Sequence, residues 1–314
     1  MDYQFENVIC ILCKSNNYLN ITNKGRHGFP TNVVICKECG LVYLNPRWNA
    51  KSYMDFYQNE YDKYYRPEVI EPTSISKDPN NIIEKRLKKF NLYPSAVTNI
   101  LDIGSGQGEN LKQFQSLFPN SELFAIEPSP DCQIHLKKFG VTVIEEDVNS
   151  SWDKNHQNQF DLIIMKHVLE HFLDPLEVMK KIQSTLKPSG LVYIGVPNTL
   201  VTKGDLETFW FRVVHTYYFN KYSLTNLLGM ASLDVLKMVE GDELHGTELY
   251  CFARKGTSVS PPNFSDSHYR EQVSFLQRKL KSQRSVLKKA IKIIKSCLRG
   301  IFGLKFIKFC KKIF

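Results

Sequence analysis

The run Asn99-Ile-Leu-Asp-Ile103 leads directly into Gly104-Ser105-Gly106-Gln107-Gly108 and then into a helical pattern. A buried strand, a turn with three glycines in five residues and a helix start, in that order, admit few folds. Glycine lets the backbone turn tightly and approach a ligand closely, and the helix N-terminus behind it offers free N–H donors. The pattern continues on both sides. Strand-like runs at Asn99–Ile103, Glu122–Ile126, Val141–Glu145, Phe160–Met165 and Leu191–Val196 alternate with helical stretches near Gly108–Phe118, Asp131–Phe139 and Pro175–Leu186. Such alternation predicts an α/β fold with a mostly parallel sheet, helices on both faces and the ligand at the carboxyl ends of the strands. Two further strand candidates, Leu233–Glu240 and Thr247–Arg254, have no helix between them and read as an antiparallel hairpin at one edge.

Glu127 ends the second strand, 23 residues after Gly104, where an acid accepts both hydroxyls of a ribose. A dinucleotide-binding loop has its third glycine three positions after the second. Here the third comes two positions after the second, and Glu109 fills the other slot. An acid beside a pyrophosphate is repelled, whereas a cofactor that lacks phosphate and carries an amino-acid end tolerates it.

The segments ILDIGSGQGENL, AIEPSP, EEDV, FDLIIMKHVLEHFLDP, LKPSGLVYIGVPN and VHTYYFNKYSLTNLL follow one another across about residues 97–230. In this series the chain resembles the class I S-adenosylmethionine-dependent methyltransferases, which implies a Rossmann-like sheet. The resemblance implies that Gly104, Gly106 and Gly108 line the methionine end of S-adenosylmethionine, with Asp102 at the strand end before them. It further implies that Glu127 binds the ribose, that Asp147 lies near the adenine, and that Lys166 and His167 lie near the mouth of the fourth strand. Methyltransferases that modify nucleic-acid bases on the amino group place an N/D-P-P-Y/F segment at that mouth. Here it reads Met165-Lys166-His167-Val168, which argues against a base nitrogen as acceptor.

The string His167-Val-Leu-Glu-His171 also matches H-x-x-E-H, a zinc-peptidase helix signature. It directly follows a buried strand at the expected cofactor mouth, with no obvious third ligand nearby, and is read as a chance match. For proton removal from a hydroxyl or carbon acceptor the best candidate is His215, in WFRVVHTYYF after the fifth strand. Tyr218 is the second catalytic candidate, and Tyr217 and Trp210 add stacking surface for a sugar or ring. Some deoxysugar C-methyltransferases carry a Glu-His pair before a similar aromatic stretch. Val214 stands in place of that Glu here, so O- and C-methylation are both open.

Cys10-x-x-Cys13 and Cys36-x-x-Cys39 are separated by 22 residues, and Gly40 suits the tight turn after the second pair. Two such knuckles supply a tetrahedral Cys₄ site for structural zinc. Their continuation, CKECGLVYLNPRWNAKSYMDFYQNEY, resembles the N-terminal zinc-binding segment of sugar methyltransferases. That implies a lid over the active site formed by a helix carrying Tyr53, Tyr57, Tyr61 and Tyr64. Cys132, Cys251, Cys297 and Cys310 have no paired spacing and read as packing or incidental thiols.

The net charge of +9 is concentrated in one place: residues 270–314 hold 14 of the 41 Lys and Arg and one of the 32 acids, leaving the rest at −4. Apolar residues at 273, 280, 287, 294 and 301 form a seven-residue repeat, and FGLKFIKFCKKIF mixes Phe and Ile with Lys. This composition fits an amphipathic helix on an anionic membrane surface, ahead of a partner helix or a polyanion. No apolar run reaches the roughly 18–20 residues that span a bilayer. The N-terminus, MDYQFEN, is unlike a signal peptide, so the expected location is cytoplasmic, peripheral on the inner membrane face.

The expected organisation is a zinc-binding module (1–45), a Tyr-rich connecting or lid segment (46–79), the S-adenosylmethionine-binding methyltransferase domain (80–255), a linker (256–269) and the basic tail (270–314). The expected function is methylation of a nucleotide-linked or lipid-linked sugar in glycan or surface-polysaccharide biosynthesis. The alternatives are an RNA methyltransferase that binds through the zinc module and tail, and a non-catalytic scaffold. The acceptor and the oligomeric state are not encoded in any motif recognised here.

Overall fold

The computed structural model describes residues 3–65, 81–145, 147–243 and 245–286. The chain divides into two compact units, Met1–Tyr269 and Arg270–Phe314. In the second, residues 270–286 are helical. The apolar positions at 287, 294 and 301, the Phe/Lys terminus, Cys297 and Cys310 lie outside the described residues, as do positions 66–79 of the connecting segment.

The first unit begins with a small all-β module: β1 (Phe5–Glu6), β2 (Tyr18–Lys24), β3 (Pro30–Cys36), β4 (Val42–Leu44) and β5 (Arg47–Trp48). The tyrosine-rich helices α1 (Ala50–Asn59) and α2 (Tyr61–Tyr65) follow, and then α3 (Ile82–Lys89). The α/β body then runs β6 (Asn99–Ile103), α4 (Glu109–Leu117), β7 (Glu122–Ile126), α5 (Pro130–Lys138), β8 (Thr142–Glu145), β9 (Phe160–Lys166), α6 (Pro175–Thr185) and β10 (Leu186–Pro197). It closes with β11 (Tyr217–Tyr218), α7 (Lys221–Met230), β12 (Leu233–Glu240) and β13 (Glu248–Lys255).

The central sheet has seven strands in the order β12-β13-β10-β9-β6-β7-β8. The pairs β6–β7, β7–β8, β6–β9 and β9–β10 are parallel, whereas β10–β13 and β12–β13 are antiparallel. The strand order reverses between β6 and β9, and a crevice for a ligand opens at such a switch point, at the carboxyl ends. The edge hairpin read from the sequence is present. Its second strand, β13, is inserted beside β10, leaving β12 on the outside.

Successive residues of the buried strands face opposite sides of the sheet, and each side has its own core. Ile100, Leu162, Ile164 and Tyr193 pack with Leu111 and Phe114 of α4 and with Ile83 and Leu87 of α3. Leu101, Ile163, Met165 and Ile194 pack with Met179 and Ile182 of α6 and with Leu224 and Leu228 of α7. The second core runs on without a break into Ile11, Leu12, Val34 and Leu41 of the small module. The two also share a sheet: β11 pairs antiparallel with β4 in the four-stranded order β11-β4-β3-β2.

Candidate active site

The glycine turn has the backbone that its residues demand. Gly104, Gly106 and Gly108 sit at φ 70°, 55° and 79°, in the left-handed region that side chains resist. A Cβ at Gly104 would fall 2.2 Å from Val168 Cγ1, and one at Gly108 would fall 2.7 Å from Leu136 Cδ2. At Gly106 a Cβ would meet nothing within 4 Å, so this residue borders open space. Next to it the buried Ser105 hydroxyl has no hydrogen-bond partner among the described residues. An open cradle beside a free buried hydroxyl fits a bound molecule at this turn.

Glu127, at the end of β7 and 2% exposed, closes the cradle. Its two oxygens accept the N–H groups of Gly106 (2.8 Å) and Ser129 (2.9 Å). Asp102, buried in β6, accepts from Asn110 Nδ2 in the first turn of α4 (3.2 Å). Burial pushes its carboxyl up to about 7, and the nearby Glu127 charge acts in the same direction. Asp147 follows β8 on the same edge of the sheet, and its carboxylate accepts the N–H and side-chain amide of Asn149. The loop, Asp102 and Glu127 thus form one connected site. Asp147 shares the edge and, among the described residues, is hydrogen-bonded within its own turn.

Lys166 ends β9 opposite Gly195 of β10. His167 follows at φ 57°, and its N–H donates to Gly195 O (2.8 Å). Its Nε2 lies 3.3 Å from Glu248 Oε1, and the other oxygen of Glu248 is gripped by Arg86. Arg86, 1% exposed, also forks onto Asp242 and lies 3.6 Å from the centre of the Tyr250 ring. Burial alone would raise the Glu248 carboxyl, but His167 and Arg86 outweigh it and hold it at about 2. The string His167–His171 is not a helix: it bends at His167 and makes a single 3₁₀ turn over Leu169–His171. The geometry of a zinc-peptidase helix is absent from it.

That turn contributes to a second cluster of titratable groups, completed by His215. Glu170, His171 and His215 bring their ligand atoms within 4.8 Å of one another. The rings of His171 and His215 meet edge to face at 4.6 Å. Glu170 is buried with its Oε2 unpartnered, and burial pushes its carboxyl up to about 7. Burial, followed by the charges of His171 and Arg212, holds the His215 imidazole well below the usual histidine value, so it is uncharged at neutral pH. Tyr218 engages Arg212 at both ends, its hydroxyl accepting the Arg212 N–H (2.9 Å) and lying 3.0 Å from the Arg212 carbonyl.

The tyrosine helices cover this cluster. Asn49 caps α1 by accepting the Ser52 N–H (2.9 Å). The Tyr53 hydroxyl lies within hydrogen-bond distance of the carbonyls of His171 (2.5 Å) and Val214 (2.7 Å). The Tyr57 hydroxyl lies 2.5 Å from His171 Nδ1. The ring stack runs Tyr53–Tyr57–Tyr61–Tyr65, while Tyr64 turns to His27, Phe29 and Phe56. The sequence suggested one helix carrying Tyr64 over the site, but the chain breaks at Glu60 and the fourth ring of the stack is Tyr65, at i,i+4 spacing from Tyr61. Reasoning from sequence missed Glu170, Glu248 and Arg86. The first lay in a string set aside as a chance match, and the other two are paired only by tertiary structure.

In the small module the sulfurs of Cys10 and Cys39 lie 3.4 Å apart and those of Cys13 and Cys36 3.3 Å apart, all four being free thiols. The knuckles are alike. Lys14 and Gly40, each following the second cysteine of a pair, take φ 60° and 74°, and each donates its N–H to the carbonyl of the first, 2.9 Å away. Hydrogen bonding from the neighbouring thiols draws Cys36 far down, to about 2. Cys132 and Cys251 are buried singly in the body.

Residues 75–237 match the family model of a methyltransferase domain. Among curated relatives, the tRNA U34 carboxymethyltransferase of Pseudoalteromonas atlantica is 30% identical over 123 residues, 35% of this chain and 34% of its own. The ubiquinone biosynthesis O-methyltransferase of Haemophilus ducreyi is 26% identical over 174 residues, 52% of this chain and 69% of its own. The chain spans about a third of the length of the first curated relatives it matches. A solved structure of the 1,6-didemethyltoxoflavin-N1-methyltransferase of Burkholderia thailandensis, with 1,6-didemethyltoxoflavin and S-adenosylhomocysteine bound, has a similar fold. It superposes with a TM-score of 0.51 at 16% identity, covering 74% of this chain and all of that one. The sheet order and the glycine cradle define a Rossmann-like methyltransferase. The chain belongs to the methyltransferase domain family.

Proposed function

We propose that this enzyme methylates an oxygen or carbon of a sugar, carried on a nucleotide or a lipid, during the assembly of a glycan. The observation that carries the reading is the placement of an uncharged histidine, His215, against His171 and Glu170 under a roof of tyrosines. Val168 packs over Gly104, so the turn bearing Glu170 and His171 abuts the cofactor loop. When bound, S-adenosylmethionine would supply a methyl group to the acceptor, which attacks the methyl carbon in line as the bond to sulfur breaks and S-adenosylhomocysteine leaves. The chain's own part is to position the acceptor and to take its proton. His215 receives that proton on its imidazole as the acceptor atom gains the methyl group. Tyr218 fixes the Arg212–Tyr218 turn that presents His215, and tyrosine faces suit the C–H surface of a sugar. Asp147, Lys166 and His167 complete the cofactor mouth.

The test is transfer of a labelled methyl group into fractionated extract of the native host. Label in nucleotide sugars or lipid-linked glycans, abolished by His215→Ala with S-adenosylhomocysteine binding intact, supports the reading. Label in RNA overturns it.

The four cysteines hold one structural zinc ion, supported by matched knuckles whose thiols converge at contact distance. Elemental analysis of purified protein, expected to give about one zinc per chain, checks this. Among the described residues no helix is long and apolar enough to cross a membrane. Residues 270–314, at +13, attach the enzyme to an anionic membrane surface. Sedimentation with anionic but not neutral vesicles is the expected result.

A further inference from the structure

Arg26 and Arg212 come from segments 186 positions apart, yet the fold sets them side by side. The Arg26 N–H donates to Phe211 O (2.7 Å), and the Tyr218 hydroxyl holds the backbone of Arg212 on both sides. Both guanidinium groups lie over the same two rings. Arg26 Cζ is 5.9 Å from the centre of Tyr65 and 5.1 Å from that of Phe209, and Arg212 Cζ is 5.6 and 5.9 Å from them.

Among the described residues no carboxylate lies within 4.0 Å of either group, whereas Arg47 is paired with Glu6 and Arg86 with Asp242 and Glu248. Two like charges on one aromatic floor, with no carboxylate in contact among the described residues and Glu170 acting on Arg212 only at longer range, repel each other. Burial and Arg212 together push the Arg26 guanidinium down, and burial, followed by the same two arginines, depresses His27, whose ring lies 5.3 Å from Tyr65. Planar guanidinium forks match the geometry of phosphate oxygens, and an anion between them would remove the repulsion. The pair adjoins the proposed base: the His215 N–H donates to Arg212 O (3.1 Å), and both arginine charges act on the His215 ring.

We propose that Arg26 and Arg212 form a diphosphate-binding subsite that holds the phosphorylated end of the methyl acceptor beside His215. The assignment rests on the functional reading above only in placing the acceptor at His215. The anion site is tested by binding alone, so its failure is distinguishable from failure of the sugar reading.

Isothermal titration of the full chain with inorganic pyrophosphate, uridine diphosphate and micellar farnesyl diphosphate is the experiment. Whichever organic diphosphate binds more tightly than pyrophosphate identifies a nucleotide or a lipid carrier, and either supports the assignment. Arg26→Gln and Arg212→Gln are each expected to weaken pyrophosphate binding at least about tenfold, the loss of one charge-assisted pair. Affinity for S-adenosylhomocysteine should stay unchanged in both. Arg26→Gln leaves the 206–218 segment untouched and decides the matter if Arg212→Gln loses the cofactor as well. No binding of any of the three diphosphates by the unaltered chain, or equal binding by the Arg26 variant, overturns the assignment.

Discussion

Glu127 has both oxygens committed, one to the glycine turn and one to Ser129, so it shapes the cradle as well as facing it. Glu127→Ala is therefore expected to weaken S-adenosylhomocysteine binding by about 1.5–3 kcal/mol, the range for hydrogen bonds to a charged group. Calorimetry checks it, and unchanged affinity would remove Glu127 from the cofactor site. Glu170 and His215 make opposite demands on pH. The buried Glu170 carboxyl titrates near 7 in the fold against an ordinary 4.5, so the folded state holds its proton more tightly. Its contribution is fully present below 4.5 and is lost as pH rises to 7, of order 3 kcal/mol at about 1.4 kcal/mol per unit. His215 is depressed below 6.5, so its contribution is present above 6.5 and is lost as pH falls. Glu170→Gln should accordingly gain on the unaltered protein in melting temperature from pH 5 to 7. A constant difference across that range would show that Glu170 does not titrate there. The glycines and Glu127 were legible because their spacing along the chain is their function. Glu170 was not, because a carboxyl becomes unusual through what surrounds it, and its neighbours His171 and His215 are 44 positions apart.

Among the elements, the strands of the body were the most legible: Asn99–Ile103, Glu122–Ile126 and Leu233–Glu240 fall where apolar runs placed them. Each is bounded by turn residues, and burial on both faces leaves a continuous apolar signature in the central strands. The start of β10 was less legible, since Lys187-Pro-Ser-Gly190 reads as a turn but joins the strand through an irregularity in register. The placement of α3 was invisible, because it is fixed by Arg86 reaching Asp242 and Glu248 more than 150 positions away. Arg86→Met is expected to cost about 3–5 kcal/mol, since it leaves the buried Glu248 carboxylate with only His167 as a charged partner. Denaturant unfolding measures it, and a loss below 1 kcal/mol would contradict a buried ion pair. Tyr53→Phe removes the hydroxyl that ties α1 to the carbonyls of His171 and Val214. A loss of about 1 kcal/mol in stability is expected, with a larger effect on turnover than on cofactor affinity.

For the molecule as a whole, the cysteine module and the segment proposed to carry the base are joined by β11, which follows His215 by two residues and extends the module's sheet. Cys36→Ser is expected to lose zinc and to lower methyl transfer as well, because the strand beside the base loses the sheet it completes. Zinc loss with full turnover would separate the two. This joining also sets a schedule for synthesis. The strand at Val42–Leu44 leaves the ribosome about 170 residues before its partner at Tyr217–Tyr218. At roughly 5–20 residues per second that interval is on the order of 10–30 seconds. Throughout it a nascent chain exposes an unpaired sheet edge, so protection of that edge during translation bears on the yield of folded protein.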